Sequence, residues 1–521
     1  MSTAFPFVFP YNLFVERITM TAHIIMEGET FPLNTSCPTV LQAIQEAGID
    51  FAAPCGGRGT CRKCAVWVRD EKGLRSELAC EIAPTENMMV QIERAKPMTI
   101  SETGSTSAFD ADVSDIGYGI AIDVGTTTVV VRLIEMATGI CIATTSRPNP
   151  QIVFGSDVIA RISASVAGSL DAMTKLIDSS LAEMVKMLCD QCDVDLADIV
   201  GATLAGNTVM ESIAAGVSPD PIGINPFIPL SYFGEEIDIE GVSERTYFVE
   251  CLSGYVGGDI TADILATRLT ESPKLRLMLD LGTNGEMALG NKDRLVTCAT
   301  AAGPVFEGAN ITFGMPARLG AINRVTFDGN DIVLTTVGDA EPFGICGTGI
   351  IDATAILVKT GIVDETGYMS TADELDDDVP AALAARIFEG EKGAMFKLAE
   401  NIYLTQGDIR NVQLAKAAVS AGVLTLVDTY ETTLDAIDEL VIAGGFGSYL
   451  DIESAAIIGL FPEELKNRAR SIGNTAIEGA TALLINSHAR KQEKTIAQLA
   501  EYVELSTELK FNQYYVDCMM F

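Results

Sequence analysis

Four cysteines near the start of the chain have a spacing that suits metal binding. Cys55, Cys61, Cys64 and Cys80 form the array C-x5-C-x2-C-x15-C; the glycine-rich loop 54–61 contains the first two, and the first three lie within ten residues. Glycines permit positive φ and let backbone amides approach sulfur, which a loop around an inorganic cluster requires. The array therefore predicts that four thiolates hold an iron–sulfur cluster.

Structural zinc is the alternative for four such cysteines. Zinc sites usually contain two close cysteine pairs, whereas here only Cys61 and Cys64 form one. The spacing resembles that of the 2Fe-2S ferredoxins of the adrenodoxin type, although the fourth cysteine follows sooner. Arg58, Arg62 and Lys63 either form a basic rim that attracts an acidic electron donor or are solvated loop charges.

Two later segments each end an apolar strand with the pattern Asp-x-Gly-Thr and then resume as a second strand. A triphosphate between two such hairpins can be bound by glycine amides and threonine hydroxyls, while the aspartates face Mg²⁺ and its waters. Ordinary hairpins with a helpful glycine are the alternative. The candidate residues are Asp123, Gly125, Thr126 and Thr127 in the first hairpin and Asp280, Gly282, Thr283 and Asn284 in the second.

A third segment, 440–447, is a buried strand that runs into a double glycine, Gly444 and Gly445, before a helix. Backbone without side chains can approach a flat adenine there. Together the three segments resemble the phosphate-1, phosphate-2 and adenosine motifs of the superfamily that contains acetate kinase, sugar kinases, heat-shock chaperones and actin. The resemblance covers roughly 117–491.

Within that superfamily, four intervening segments resemble the reductive activators of corrinoid proteins. They are 205–210, 302–308, 344–352 and 404–410. The resemblance implies ATP, Mg²⁺ and a 2Fe-2S cluster as cofactors, a corrinoid protein of a methyltransferase system as partner, an electron donor protein, and a homodimer. It also implies an activity, the ATP-dependent return of Co(II) to Co(I).

The same resemblance assigns roles to the candidate residues. Asp123 and Asp280 are expected to position Mg²⁺ and water, the hairpin glycines, threonines and Asn284 to bind phosphate, and Gly444 with Gly445 to bind adenosine. Asp259 opens a helix and either joins the metal shell or, as we expect, is a plain N-cap. Glu307 either orients water or is structural.

The expected fold is α/β with two parts. A β-grasp ferredoxin-like domain spans 20–95, a flexible Ser/Thr/Asp-rich linker 96–116, and the two lobes of an actin-like, ribonuclease H-like ATPase 117–272 and 273–521. Residues 1–19 match nothing.

Charge and composition exclude some partners. The chain has 71 acidic and 35 basic residues and a net charge of −36, which disfavours nucleic acid and membrane surfaces. The lack of a long apolar run or a signal sequence, and cysteines without a disulfide-like spacing, predict a cytoplasmic protein.

Several other residues are expected to have structural roles. His23 and His488 are assigned none; Cys189 and Cys192 are expected to pack on a helix, the loop 298–303 to belong to the core rather than meet a corrin, and 373–378 to be a solvated loop.

Three rival functions remain open. A small-molecule kinase with a redox-sensing ferredoxin domain needs an acceptor pocket with its own base, and no second acid beyond the nucleotide loops is evident. A radical-generating dehydratase activator would lack the ferredoxin cysteines. A nucleotide-gated scaffold would tolerate loss of Asp123.

Overall fold

The computed structural model describes residues 22–26, 29–49, 51, 53, 64–70, 73–86, 88–92, 109–112, 117–155, 157–282, 284–308, 310–317, 319–390, 393–400, 402–444 and 450–521. The chain forms two compact units, 1–96 and 97–521.

In the described part of the first unit, five strands form a mixed sheet. They are β1 (His23–Met26), β2 (Glu29–Pro32), β3 (Ala65–Asp70), β4 (Gly73–Leu78) and β5 (Met89–Ile92), in the order β2-β1-β5-β3-β4, with only β1 and β5 parallel. Helix α1 (Val40–Glu46) begins where the Thr39 hydroxyl accepts from the Gln42 amide. Its Val40 and Ile44 pack on the sheet. This is the expected β-grasp arrangement.

The second unit begins with a six-stranded sheet in the order β10-β11-β9-β6-β7-β8. Its strands are β6 (Tyr118–Val124), β7 (Thr128–Glu135), β8 (Ile140–Pro148), β9 (Ile199–Gly206), β10 (Glu236–Ile239) and β11 (Ser243–Phe248). The helices in this stretch are α2 (Val158–Ala164), α3 (Leu170–Cys192), α4 (Thr208–Ala214) and α5 (Gly258–Ala266).

The remaining elements follow from residue 276 onward. The strands are β12 (Arg276–Leu281), β13 (Gly285–Gly290), β14 (Leu295–Thr300), β15 (Ala321–Phe327), β16 (Ile332–Thr336), β17 (Gly344–Ile345), β18 (Ile387–Gly390), β19 (Gly393–Ala399), β20 (Ile402–Thr405), β21 (Glu439–Ala443), β22 (Ala469–Gly473) and β23 (Ala500–Val503). The helices are α6 (Gly347–Lys359), α7 (Ala381–Ala384), α8 (Gln406–Thr429), α9 (Ile452–Ile457), α10 (Ala476–Ile485), α11 (Ser487–Leu499) and α12 (Leu509–Asp517).

The second large sheet repeats the connectivity of the first. Its order is β22-β21-β12-β13-β14-β23, so an antiparallel meander, β12-β13-β14, is extended by two parallel strands, as β6-β7-β8 is extended by β9 and β11. Two three-stranded sheets, β16-β15-β17 and β18-β19-β20, accompany the second half. The duplicated lobe predicted from the paired hairpins is therefore present, and the actin-like fold is confirmed.

Helix α10 follows the second sheet along the chain but packs on β6 and β9 of the first sheet and crosses α5. At the crossing, a Cβ atom on Gly479 would lie 2.1 Å from the Ala262 carbonyl oxygen. The backbones of the two helices are therefore in direct contact, which only glycine allows.

Helix α8 is long and apolar enough by composition to cross a membrane, but 78% of that window is buried inside the fold. Its apolar residues, Val412, Val419, Val423 and Leu426 among them, pack in the core of the second large sheet. Among the described residues, no other helix meets the same length and composition test.

Four residues of the expected linker, 109–112, lie on the second unit. Phe109 is 7% exposed and its ring lies 4.7 Å from the Arg268 guanidinium carbon. The Asp112 carboxylate accepts from the Ser487 amide and hydroxyl at 2.6 and 2.9 Å. The end of this segment is thus anchored, while 96–108 lie outside the described residues.

Candidate nucleotide cleft and cysteine site

The β3–β4 hairpin brings two of the four predicted cysteine ligands together. Cys64 immediately precedes β3, Cys80 follows β4, and the Ala79 amide donates to the Cys64 carbonyl at 2.8 Å. Both thiols are buried and their Sγ atoms lie 3.2 Å apart without a disulfide bond. Two thiols this close together fit a shared metal site. Cys55 and Cys61 lie outside the described residues.

The first phosphate hairpin joins β6 to β7. Its turn is closed by the Gly125 amide, which donates to the Thr128 carbonyl at 3.0 Å, and a Cβ on Gly125 would lie 2.7 Å from that oxygen. Asp123, one residue before the end of β6, is buried. The Thr126 hydroxyl is buried as well and accepts from Asn207 Nδ2 at 3.0 Å.

Two residues that the sequence did not single out stabilise this turn by donating to its backbone carbonyls. Asn149 donates to the Gly125 carbonyl at 2.8 Å, and the fully buried Arg161 donates to the Thr126 carbonyl at 2.6 Å. Burial lowers the pKa of Arg161 to about 10, so the guanidinium stays charged at neutral pH. Both side chains donate to backbone carbonyls and so fix the conformation of the turn.

The second phosphate hairpin joins β12 to β13. The Gly282 amide donates to the Asn284 carbonyl at 3.1 Å, and Asp280 lies one residue before the end of β12. Gly444 at the end of β21 has φ +96°, and a Cβ there would lie 2.8 Å from both Asp280 Oδ1 and the Leu281 carbonyl. A glycine is therefore required where the predicted adenosine segment meets this hairpin. Thr283 and Gly445 lie outside the described residues.

Three carboxyl groups line the cleft between the hairpins. Burial raises the pKa of Asp123 to about 6, with repulsion from Asp280 adding to the shift. Burial and repulsion from Asp280 and Asp123 raise the pKa of Asp259 to about 8. Burial also raises the pKa of Asp280. The cleft is therefore short of positive charge, which a metal cation would supply.

Asp259 is not the N-cap of α5, contrary to the expectation from the sequence. Gly257 is the capping residue and Asp259 lies in the first helical turn. A Cβ on Gly257 would lie 2.4 Å from the Asn207 Cα, so only glycine permits this close approach of the helix start to the first sheet. The approach places Asp259 beside Asp123 and Asp280.

A second set of acids beneath the cleft had no motif that marked it. The pKa of Asp263, on α5, lies well above its ordinary range because of burial and contact with Asp280. The pKa values of Glu286 and Glu211 are also well above theirs, through burial and repulsion from Asp259. Two neighbouring buried carboxyl groups repel each other when both are charged, so the protonated form of Asp263 is favoured beside Asp280.

Two side-chain hydrogen bonds cross the cleft. Asn474, between β22 and α10, donates from Nδ2 to Asp123 Oδ2 at 2.7 Å. Thr127 donates to Glu307 Oε2 at 2.6 Å. Among the described residues, no three carboxylate, histidine or cysteine side chains converge closely enough to hold a metal ion by themselves. An ion here would therefore take ligands from phosphate and water as well.

The burial expected for other residues is seen only in part among the described residues, because Ala301, in the loop 298–303, is exposed. Cys298 is fully buried in the core, Cys189 is buried on α3, and 373–378 are mostly exposed. His488 is exposed on α11, away from the carboxyl cluster. The basic rim of Arg58, Arg62 and Lys63 lies outside the described residues.

The fold and the two sites define an actin-like nucleotide-binding unit preceded by a 2Fe-2S ferredoxin-like unit. Three family models match the chain in order: the 2Fe-2S iron-sulfur cluster binding domain at 23–85, the RACo middle region at 118–272, and the C-terminal domain of RACo, the ASKHA domain, at 274–521. Zinc is therefore not the metal that this class of domain holds.

The chain belongs to the family of corrinoid reductive activators. It is 31% identical to the corrinoid activation enzyme RamQ of Eubacterium limosum over 91% of this chain and 94% of that protein. It is 24% identical to the [Co(II) methylated amine-specific corrinoid protein] reductase of Methanosarcina barkeri over 77% of this chain and 76% of that protein. A solved reductive activator for a corrinoid, iron-sulfur protein has 29% identity and a TM-score of 0.69, covering 96% of this chain and 98% of that one.

Proposed function

We propose that this chain is an ATP-dependent reductive activator of a corrinoid protein. One electron passes from a reduced 2Fe-2S cluster to Co(II), which becomes the methyl-accepting Co(I). The observation that carries this proposal is the presence, in one chain that matches corrinoid activators along its length, of two adjacent buried thiols and an acidic cleft between two phosphate hairpins.

The cluster would be held by Cys55, Cys61, Cys64 and Cys80, and when bound it supplies a one-electron carrier. Burial of Cys64 and Cys80 keeps solvent from two of these ligands. We assign 20–95 to this domain, 96–116 to a linker, and 117–272 and 273–521 to the ATPase lobes.

The hairpins would bind the nucleotide through backbone and hydroxyl donors. Because Thr126 Oγ1 accepts from Asn207, its hydroxyl hydrogen can point toward a phosphate oxygen, and Thr127, Thr283 and Asn284 add further donors. The Gly125 and Gly282 amides already donate within their turns, so these glycines would act by letting phosphate come close to the backbone.

The carboxyl groups would handle Mg²⁺ and water. Asp123 and Asp280 take the cation and its waters, and the charge of the cation returns both pKa values toward their ordinary range. Asp259 lies beside both carboxyl groups, whose repulsion raises its own pKa, and it would join them around the cation and its waters. Gly444 and Gly445 would approach the adenosine.

ATP would drive an unfavourable electron transfer through a change in protein conformation, without taking part in the redox step itself. Each 100 mV of gap costs about 2.3 kcal/mol per electron. Coupling between two ligand sites is typically about 1–3 kcal/mol, so tighter binding of the corrinoid protein in the ATP-bound state can offset a gap of that order.

The location and the other partners of the protein are further expectations. An acidic chain whose cysteines show no disulfide-like spacing suits a reducing cytoplasm. A homodimer and a separate electron donor protein are expected as well.

The test uses the full-length protein with its cluster reduced. It is mixed with a Co(II) corrinoid methyltransferase component, and the cobalt spectrum is followed with and without Mg·ATP. We expect Co(I) to accumulate only when ATP is present. With the Asp123→Ala variant, we expect no Co(I) even when ATP is present. Absence of ATP-dependent Co(I) with every corrinoid partner tried would refute the proposal.

A further inference from the structure

Asn474 is the side chain that reaches Asp123 from the other half of the nucleotide-binding unit. It lies in the loop 473–475, between β22 of the second large sheet and α10, which packs on the first. Gly473 has φ +77°, so the chain turns sharply enough to bring the next residue into the cleft. The contact therefore joins two elements that are 351 residues apart in the chain.

Both ends of the Asn474 amide are used. Its Oδ1 accepts from the Ile477 amide at 3.3 Å and so caps the first turn of α10 in place of the N-cap residue Thr475, whose side chain makes no capping bond, while Nδ2 donates to Asp123 Oδ2 at 2.7 Å. The Ile477 backbone N–H must face the side-chain oxygen of Asn474, and the Asp123 carboxylate must face its NH₂ group. These two partners therefore fix the orientation of the side chain.

The next residue in the loop contacts the deeper acids. Thr475 donates to Asp263 Oδ1 at 2.5 Å, and Asp263 in turn contacts Asp280. One loop thus contacts Asp123 directly and Asp280 through Asp263, so its two side chains act on both of the aspartates assigned to Mg²⁺ and water.

We propose that Asn474 is a positioning residue that holds the Asp123 carboxylate in the rotamer needed for Mg²⁺-bound nucleotide. This inference rests on the proposed function and adds a residue to that site. A charged acceptor with a single well-placed amide donor is fixed in direction, and a hydrogen bond to a charged group is stronger than one between neutral groups.

Two substitutions separate positioning from helix capping. Serine caps a helix about as well as asparagine but is too short to reach Asp123, so Asn474→Ser removes only the contact to the carboxylate. Asn474→Ala removes both. Asn486 supplies a matched control, because its Oδ1 caps α11 through the Ala489 amide and its Nδ2 donates to the Asp110 carbonyl, outside the cleft.

The measurements are ATP turnover, thermal midpoint, and the calorimetric affinity for ATP with and without Mg²⁺, all on full-length protein. We expect Asn474→Ser to lower turnover about 10- to 100-fold and to remove most of the Mg²⁺ enhancement of ATP affinity. Its thermal midpoint should stay near wild type, Asn474→Ala should lose thermal stability as well, and Asn486→Ser should change none of the three.

Two results would overturn the inference while leaving the proposed function intact. One is wild-type turnover and Mg²⁺ enhancement in Asn474→Ser. The other is a loss of turnover that merely follows an equal fall of the thermal midpoint in both Asn474 variants. A wild-type protein that binds no ATP would instead refute the proposed function and, with it, this inference.

Discussion

At the scale of single residues, the cysteine site gives the most direct prediction. Cys80→Ser should abolish the visible absorption and the acid-labile sulfide of the purified protein, because a hydroxyl is a poor replacement for a thiolate ligand of iron. Cys37→Ala is the matched control, since Cys37 is a buried thiol of the same core but lies outside the array. An intact chromophore in Cys80→Ser would mean that Cys80 is not a ligand.

The buried Asp123 carboxylate should lower the free energy of unfolding of the nucleotide-free protein at neutral pH. Its pKa rises from 3.8 to about 6 on folding, so it favours the folded state below its unfolded pKa, and this contribution is lost as the pH rises through about 6. Asp123→Asn should therefore stabilise the nucleotide-free protein at pH 7 by up to about 3 kcal/mol, with the gain vanishing near pH 4. ATP turnover should be lost.

Chemical denaturation of full-length protein at several pH values measures this effect. Asp376→Asn, on the exposed loop, should leave the unfolding free energy unchanged. Equal stabilities of Asp123→Asn and wild type at pH 7 would show that Asp123 is not strained by burial.

Which residues the sequence could identify depended on local pattern. Asp123 and Asp280 were predictable because each ends an apolar strand and is followed by a glycine turn. Asp263 and Glu286 were not, because a helix interior and a strand interior give no such signal, and their convergence exists only in three dimensions. Asp259 was misread as a cap because the close approach of Gly257 to the first sheet moves the true helix start.

At the scale of elements, the Thr127–Glu307 hydrogen bond links the first phosphate hairpin to the short 3-10 turn Pro304–Glu307 of the second half. A hydroxyl donates only one hydrogen, so a phosphate that accepts from Thr127 must replace Glu307, whose negative charge also repels it. Glu307→Gln should therefore lower the ATP dissociation constant about 3- to 10-fold, corresponding to about 1 kcal/mol.

Calorimetry with a non-hydrolysable ATP analogue measures the change and keeps it apart from any effect on hydrolysis. Glu341→Gln, outside the cleft, is the control. Weaker binding by Glu307→Gln would indicate that Glu307 helps to hold the nucleotide rather than competing with it.

Secondary structure around the sites followed the sequence closely. The strands predicted before and after each Asp-x-Gly-Thr segment are present, as β6 and β7 around the first segment and as β12 and β13 around the second. The packing of α10 could not be predicted. This helix follows β22 of the second sheet but packs on the first sheet, and nothing in the sequence 476–485 indicates which sheet it contacts.

At the scale of the whole molecule, the two units should depend on covalent connection. A protease recognition sequence inserted within 101–106, between Lys96 and the anchored Phe109, allows the chain to be cut after folding. We expect the cut protein to keep its visible absorption and ATP turnover but to lose most ATP-dependent formation of Co(I), because the local concentration of the electron carrier falls. The uncut insertion protein is the control. Full activity after cutting would show that the tether is dispensable.

The contact between Gly479 and the Ala262 carbonyl restricts how the two large sheets can move. Backbones that touch can neither approach further nor slide past a bulky neighbour, so α5, which contacts β13, and α10, which packs on β6 and β9, can change their angle only by rotation about that point. Spin labels beside the crossing should then keep their separation when nucleotide binds, while labels on β10 and β16, far from it along the chain, should change theirs. Gly479→Ala should force the two helices apart, because its Cβ would lie 2.1 Å from the Ala262 carbonyl oxygen, and so displace the axis of rotation.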